Sequence, residues 1–210
     1  MKKKALTEAL LNAIHQANKE YEDLSGGSWL SDYGAESFLV VEAMKQLLAA
    51  ARRSRKRACA TSEESFSEIM ECSGANKKPG PLPTVLAGNY RADIVLWRND
   101  SQPFGVIEVK RRWDNGPCMA DVHRLQALMD RGGAHLGGSI EYCALVIFIP
   151  QAGDHGCEKI KRQYENIANY LNAHAQRRFR FHTLEPWQYT YHPDGTYGDY
   201  SGGGIVVEFY

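Results

Sequence analysis

The chain has 210 residues and a mass of 23.6 kDa, is 43% hydrophobic and 24% charged, and sets 25 basic residues against 25 acidic ones. Those values exclude wholesale disorder, a collagen-like repeat and a disulfide scaffold, and the length suffices to bury one substantial core. Zero net charge removes global basicity as a route to a polyanion, so any such case rests on local patches.

Met1-Lys-Lys-Lys opens like a signal peptide, but Thr7, Glu8, Asn12 and His15 interrupt the stretch from Ala5 to Tyr21, and no hydrophobic segment forms. The longest apolar run, Cys143 to Pro150, is too short to span a bilayer, so no membrane role is expected. Cys59, Cys72, Cys118, Cys143 and Cys157 are scattered without CxxC spacing, which fits reduced thiols in a cytoplasmic protein. His155 and Cys157 form the only close His/Cys pair, without the two further ligands that zinc takes.

In chain order, Leu6, Leu10, Leu11, Ile14 and Ala17 predict an outer helix over 4–22, ended by Ser25-Gly-Gly-Ser28. A second helix is expected from about Ala35 to Lys56, closing in the basic cluster of residues 52–57. A short third helix fits 61–72, with Thr61 or Ser62 as its cap. Residues 76–83 carry three prolines and read as a loop. The period then changes. Tyr90–Trp97 and Phe104–Arg112 are β-rich runs around the turn formers of 98–103. A helix over Met119–Arg131, a doubly covered strand over Tyr142–Ile149, a helix over Cys157–Gln176 and a strand over Phe179–Leu184 come next. The tail, Gln188 to Gly204, is rich in Tyr and Gly around His192-Pro-Asp-Gly195, and a strand over 205–210 closes the chain. A hairpin followed by a helical crossover into a buried strand makes an α/β domain with a mixed sheet flanked by helices.

The hairpin brings chemistry together. If it is symmetric about Asp100–Ser101, Trp97 faces Phe104 and Asp93 faces Glu108, while Lys110 returns to the same face one pleat on. Two carboxylates and an ammonium then converge among Ile94, Val95, Leu96, Val106, Ile107 and Val109. Carboxylates held this close repel, and burial raises the cost. A divalent cation removes it, and all-oxygen ligation favours Mg²⁺ or Mn²⁺.

Arg91-Ala-Asp93-Ile-Val-Leu, a turn, and Gly105-Val-Ile-Glu108-Val-Lys110 resemble the PD-(D/E)xK nuclease superfamily. Ala92 stands where that motif carries proline. The resemblance implies a restriction-endonuclease-like αβββαβ core over about 35–185, within a single domain of 1–210 that adds an N-terminal helical extension (4–22) and a C-terminal β tail (187–210). It implies metal-dependent hydrolysis of phosphodiester bonds, with DNA as the expected partner. Asp93, Glu108 and the Val109 carbonyl would hold Mg²⁺ or Mn²⁺, and Lys110 would position or activate the attacking water. Members often add a glutamate from the preceding helix. At 100° per residue, Leu39, Val40, Ala43, Met44 and Leu47 lie within about 80° of Glu36, whereas Glu42 falls with Lys45 and Gln46 on the polar side. Glu36 is therefore the expected further ligand, directly or through water. Arg111 and Arg112 would guide the phosphate backbone, with Gln126 or Arg124 in support; a homodimer or a partner subunit would supply further contacts.

Plainer readings compete. Asp93, Glu108 and Lys110 can form a structural cross-strand salt bridge, and Glu36 can be an acid favoured by its helix dipole. The basic runs at 52–57 and 177–180 can be solvated element ends. Tyr189, Tyr191, Tyr197 and Tyr200 can stack on bases or belong to a hairpin covering the sheet edge. At the level of function, the alternative is a catalytically silent nucleic-acid-binding or interaction subunit of a larger assembly.

Overall fold

The computed structural model describes residues 2–30, 34, 36–54, 57–74, 80–189 and 200–210. Five α-helices are found among them: α1 (Lys3–Ser25), α2 (Glu36–Arg53), α3 (Phe66–Cys72), α4 (Asn115–Gly132) and α5 (Gly156–His174). The strands are β1 (Ala58–Thr61), β2 (Glu64–Ser65), β3 (Arg91–Ala92), β4 (Ile94–Arg98), β5 (Pro103–Lys110), β6 (Tyr142–Ala152), β7 (Phe179–Tyr189) and β8 (Tyr200–Phe209). Six strands form one mixed sheet in the order β1-β4-β5-β6-β8-β7, and β2 and β3 form a small separate pair. Among the described residues no helix is long and apolar enough to cross a membrane.

The sheet is the middle of three layers, and β6 explains why. Its Cys143, Leu145, Ile147 and Ile149 point into a core shared with α3, α4 and α5. Its Tyr142, Ala144, Val146 and Phe148 point into a second core shared with α1 and α2. A strand buried on both faces needs apolar residues at every position, which is the continuous run read in the sequence. β5 runs parallel to β6 through the α4 crossover, and β1, β4 and β5 form an antiparallel meander.

Several boundaries differ from the sequence reading. Residues 58–61 form an edge strand paired to β4, not the approach to a helix; α3 starts later, with Ser65 capping it by accepting from the Glu68 N–H. α1 is no outer appendage: Leu6, Leu10, Ala13, Ile14 and Ala17 are buried against the sheet and α2. The C-terminal strand is not a peripheral tail either. β8 inserts between β6 and β7 and is buried along nearly its whole length. Its glycines admit neighbours: a Cβ on Gly203 would stand 2.6 Å from Ile160 Cγ2 and closer still to the Tyr164 hydroxyl. Tyr200 packs on Trp29, with ring centroids 4.2 Å apart. The His192–Gly195 turn, Tyr191, Tyr197, the Tyr189 side chain and residues 55–56 and 75–79 lie outside the described residues.

The hairpin register is the feature that builds the site. Ile94 pairs with Ile107, Val95 with Val106 and Leu96 with Gly105, as a symmetric turn requires. The symmetry fails at Trp97, which pairs with Pro103 rather than Phe104 across a bulge. Pro103 has no N–H to give the ladder, and Ser101 takes a left-handed conformation in the turn (φ 61°), so the irregularity is confined to the turn end. Asp93, at the other end, keeps the register.

Candidate active site

Asp93 lies where the chain leaves β3, paired to β2, and enters β4 in the main sheet. Continuing the β4–β5 register by one residue sets it opposite Glu108. Its Oδ2 accepts a hydrogen bond from the Val109 N–H at 2.7 Å, locking the side chain over the end of β5. Glu108 is 2% exposed. Burial is the largest influence pushing its carboxyl well above the usual carboxylate range, followed by the Asp93 charge and a hydrogen bond with the Asp93 carboxyl. Lys110 and Arg124 pull the other way without reversing it. Glu108 Oε1 is buried and has no hydrogen bond among the described residues.

Lys110 emerges on the face expected from the pleat and is surrounded by oxygen. Its Nζ donates to the Val109 carbonyl at 3.0 Å and stands 3.1 Å from Asp121 Oδ2, 3.5 Å from Glu36 Oε1 and 3.9 Å from Asp93 Oδ2. Arg124 pairs with Asp121, three residues earlier on α4, and its Nε is 4.0 Å from Glu108 Oε1. Four carboxyl groups thus share two cations.

Of the remaining sequence candidates, Glu36 reaches the site from the first turn of α2, where its Oε2 accepts from the Arg111 N–H at 3.2 Å. It meets Lys110 rather than joining Asp93 and Glu108. Among the described residues no three His, Cys, Asp or Glu side chains gather as a ready cation cage. A cation would therefore use the Asp93 and Glu108 carboxylates with the Val109 carbonyl, and the buried, unbonded Glu108 oxygen fits that use. Glu42 departs from its expected setting. It does meet Lys45 and Gln46, at 2.5 and 2.8 Å, yet it is 2% exposed, because α1 packs over that side of α2 and its Glu20 also pairs with Lys45.

Arg111 turns inward and donates to the Gly34 carbonyl, tying the segment before α2 to the end of β5. Arg112 is exposed beside it. Gln126 does not reach the site: it is buried, and its side-chain oxygen accepts from the Gln176 N–H at the α5–β7 junction. Arg177 and Arg180 are engaged within the fold, by Asp130 and Glu208 respectively. Asp121 is the residue whose part was not assigned from sequence. The signal existed: it stands on the same α4 stripe as Cys118, Val122 and Leu125, where a charge needs a buried partner. Comparison with known proteins finds no matching family model, no matching curated protein and no matching solved structure.

Proposed function

We propose that this chain is a Mg²⁺- or Mn²⁺-dependent nuclease of PD-(D/E)xK type, hydrolysing phosphodiester bonds in DNA. The observation that carries the reading is the pairing of Asp93 with a buried, charge-frustrated Glu108 on one face of the β4–β5 hairpin, with Lys110 one pleat on. The element order α2, β1, β4, β5, α4, β6, with β5 parallel to β6, supports a restriction-endonuclease-like αβββαβ core. A bound divalent cation supplies Lewis acidity toward a phosphate oxygen and a water.

The protein's own groups do the rest. Asp93, Glu108 and the Val109 carbonyl would hold the ion, and Asp93 is itself fixed by the Val109 N–H. Lys110, anchored by Asp121 and Glu36, presents an ammonium that orients the attacking water and stabilises charge building on the phosphate. Arg124 restrains Asp121 and faces Glu108, so both sides of the constellation are braced from α4. Glu36, half exposed, steadies Lys110 and would contribute to a bound ion through water or through Lys110.

One observation favours the rival, a silent nucleic-acid-binding or interaction subunit: the Lys110 ammonium already bonds the Val109 carbonyl and pairs with carboxylates, a network that needs no ion. Calorimetric titration of Mg²⁺ and Mn²⁺ into chelator-treated protein, with a DNA-cleavage assay, separates the two. The nuclease reading expects saturable binding that Asp93→Ala abolishes, and cleavage that Lys110→Ala slows by roughly 10²–10³-fold. DNA cleaved equally fast by both variants refutes the mechanism. DNA binding without cleavage in either metal favours the rival.

A further inference from the structure

We infer that Tyr90 is a stacking platform for an unpaired nucleobase beside the carboxylate pair, which makes single-stranded nucleic acid the substrate class of this site. The inference rests on the nuclease reading above. Tyr90 is 52% exposed, unusual for a large aromatic ring, and it lies three residues before Asp93. Its ring packs against the Arg124 guanidinium, 4.9 Å from carbon to centroid. Arg124 is the same residue that pairs with Asp121 and faces Glu108. The ring therefore adjoins the reacting groups.

The ring is also held in place in advance. The Tyr90 carbonyl accepts from the N–H of Phe66, whose side chain is fully buried, so the backbone is pinned to the core. A guanidinium over the ring restrains it further, and little ordering is left to lose on binding. The charge distribution gives such a platform a purpose. The chain carries no net positive charge, Arg111, Arg124 and Arg177 are engaged within the fold, Arg180 stands beside Glu208, and Arg112 is the exposed arginine at this end of β5. The carboxyl groups at the site outnumber its two cations, so the site itself offers a phosphate backbone no net positive charge. A neutral π-contact supplies affinity that neither repulsion nor salt removes, and every base offers a π-face. Bases inside a duplex are covered on both faces by their neighbours. Only a base in a single strand, or at a frayed end, can lie on Tyr90.

The test measures binding by fluorescence anisotropy in chelator, so that nothing is cut. The probes are a labelled oligo-dT of about 12 nucleotides, a strand of equal length made of abasic residues, and a GC-rich hairpin duplex whose loop is a base-free ethylene glycol linker. The parent protein is expected to bind oligo-dT roughly 5- to 100-fold more tightly than the abasic strand. Tyr90→Leu, which still covers Arg124, should abolish that preference, whereas Tyr90→Phe and Tyr90→Trp should keep it; hairpin binding should be the same in all. Equal binding of both strands by the parent, a preference that survives Tyr90→Leu, or an equal loss on the hairpin overturns the inference. Should Tyr90→Leu fail to fold, the parent's comparison of dT with abasic strand and the Tyr90→Phe variant still decide. A Tyr90-dependent base preference in a protein that never cleaves with metal would uphold this inference and sink the nuclease reading. Metal-dependent cleavage lost in Asp93→Ala, without a base preference, would do the reverse.

Discussion

Glu108→Gln should make the metal-free protein more stable while destroying its response to divalent cations. Glu108 is 2% exposed, and its carboxyl is raised first by burial and then by the facing Asp93. Glutamine keeps the shape, removes the charge and can donate to Asp93 as a protonated carboxyl does. The relief expected from removing an inadequately bonded buried charge is about 1–3 kcal/mol, or roughly 2–12 °C in Tm for a domain of this size. The pH dependence is set by linkage. The folded protein retains a proton on Glu108 that the unfolded chain releases near the ordinary value of 4.5, so folding takes up a proton in that interval. The stability this group contributes is complete below about pH 4.5 and is lost as pH rises through the raised value. The variant lacks this loss, so its advantage over the parent should open as pH increases. Mg²⁺ acts the opposite way: the parent should gain about 2.7 kcal/mol at a hundred times Kd and the variant nothing, which cancels or outweighs the variant's advantage. Thermal melts by circular dichroism from about pH 4 to about pH 8, with and without Mg²⁺, read all three effects. A variant that melts with or below the parent near pH 8, or curves that run parallel across pH, would refute the reasoning.

The packing supplies two more expectations. Gly203→Ala forces a methyl against Ile160 and the Tyr164 hydroxyl, which itself bonds the Leu184 carbonyl and the Gly204 N–H; it should cost about 1–3 kcal/mol, measured as a lower urea midpoint with cleavage per folded molecule unchanged. Glu36→Gln and Glu42→Gln, two changes on one helix, should separate cleanly. The first frees one side of Lys110 and should slow cleavage with little change in Tm; the second loosens the α1–α2 contact and should lower stability by about 1 kcal/mol with cleavage intact. Cleavage rates that track Glu42 instead would mean that the carboxylate under α1 is the functional one.

Much of what is local was legible in the residues alone. Strand and helix periods set the element types from Tyr90 onward, and the short turn set the hairpin pairing from Ile94 to Leu96, although not the bulge that gives Trp97 to Pro103 in place of Phe104. That Glu36 turns toward the sheet was legible from the pitch of its helix, whereas its partner there is Lys110. Which elements cover one another was settled only by the packed chain. Glu42 reads as polar surface until α1 packs on it, and the closing strand reads as a tail until it inserts between β6 and β7. Asp121 stands on the apolar stripe of α4, but its partner is fixed only when α4 crosses the sheet face on which Lys110 stands. Residues 58–61 lack strand alternation and become β1 only because β4 offers an open edge. Periodicity records how a residue points from its own element; burial and charge pairing depend on partners distant in the chain, which no local pattern encodes.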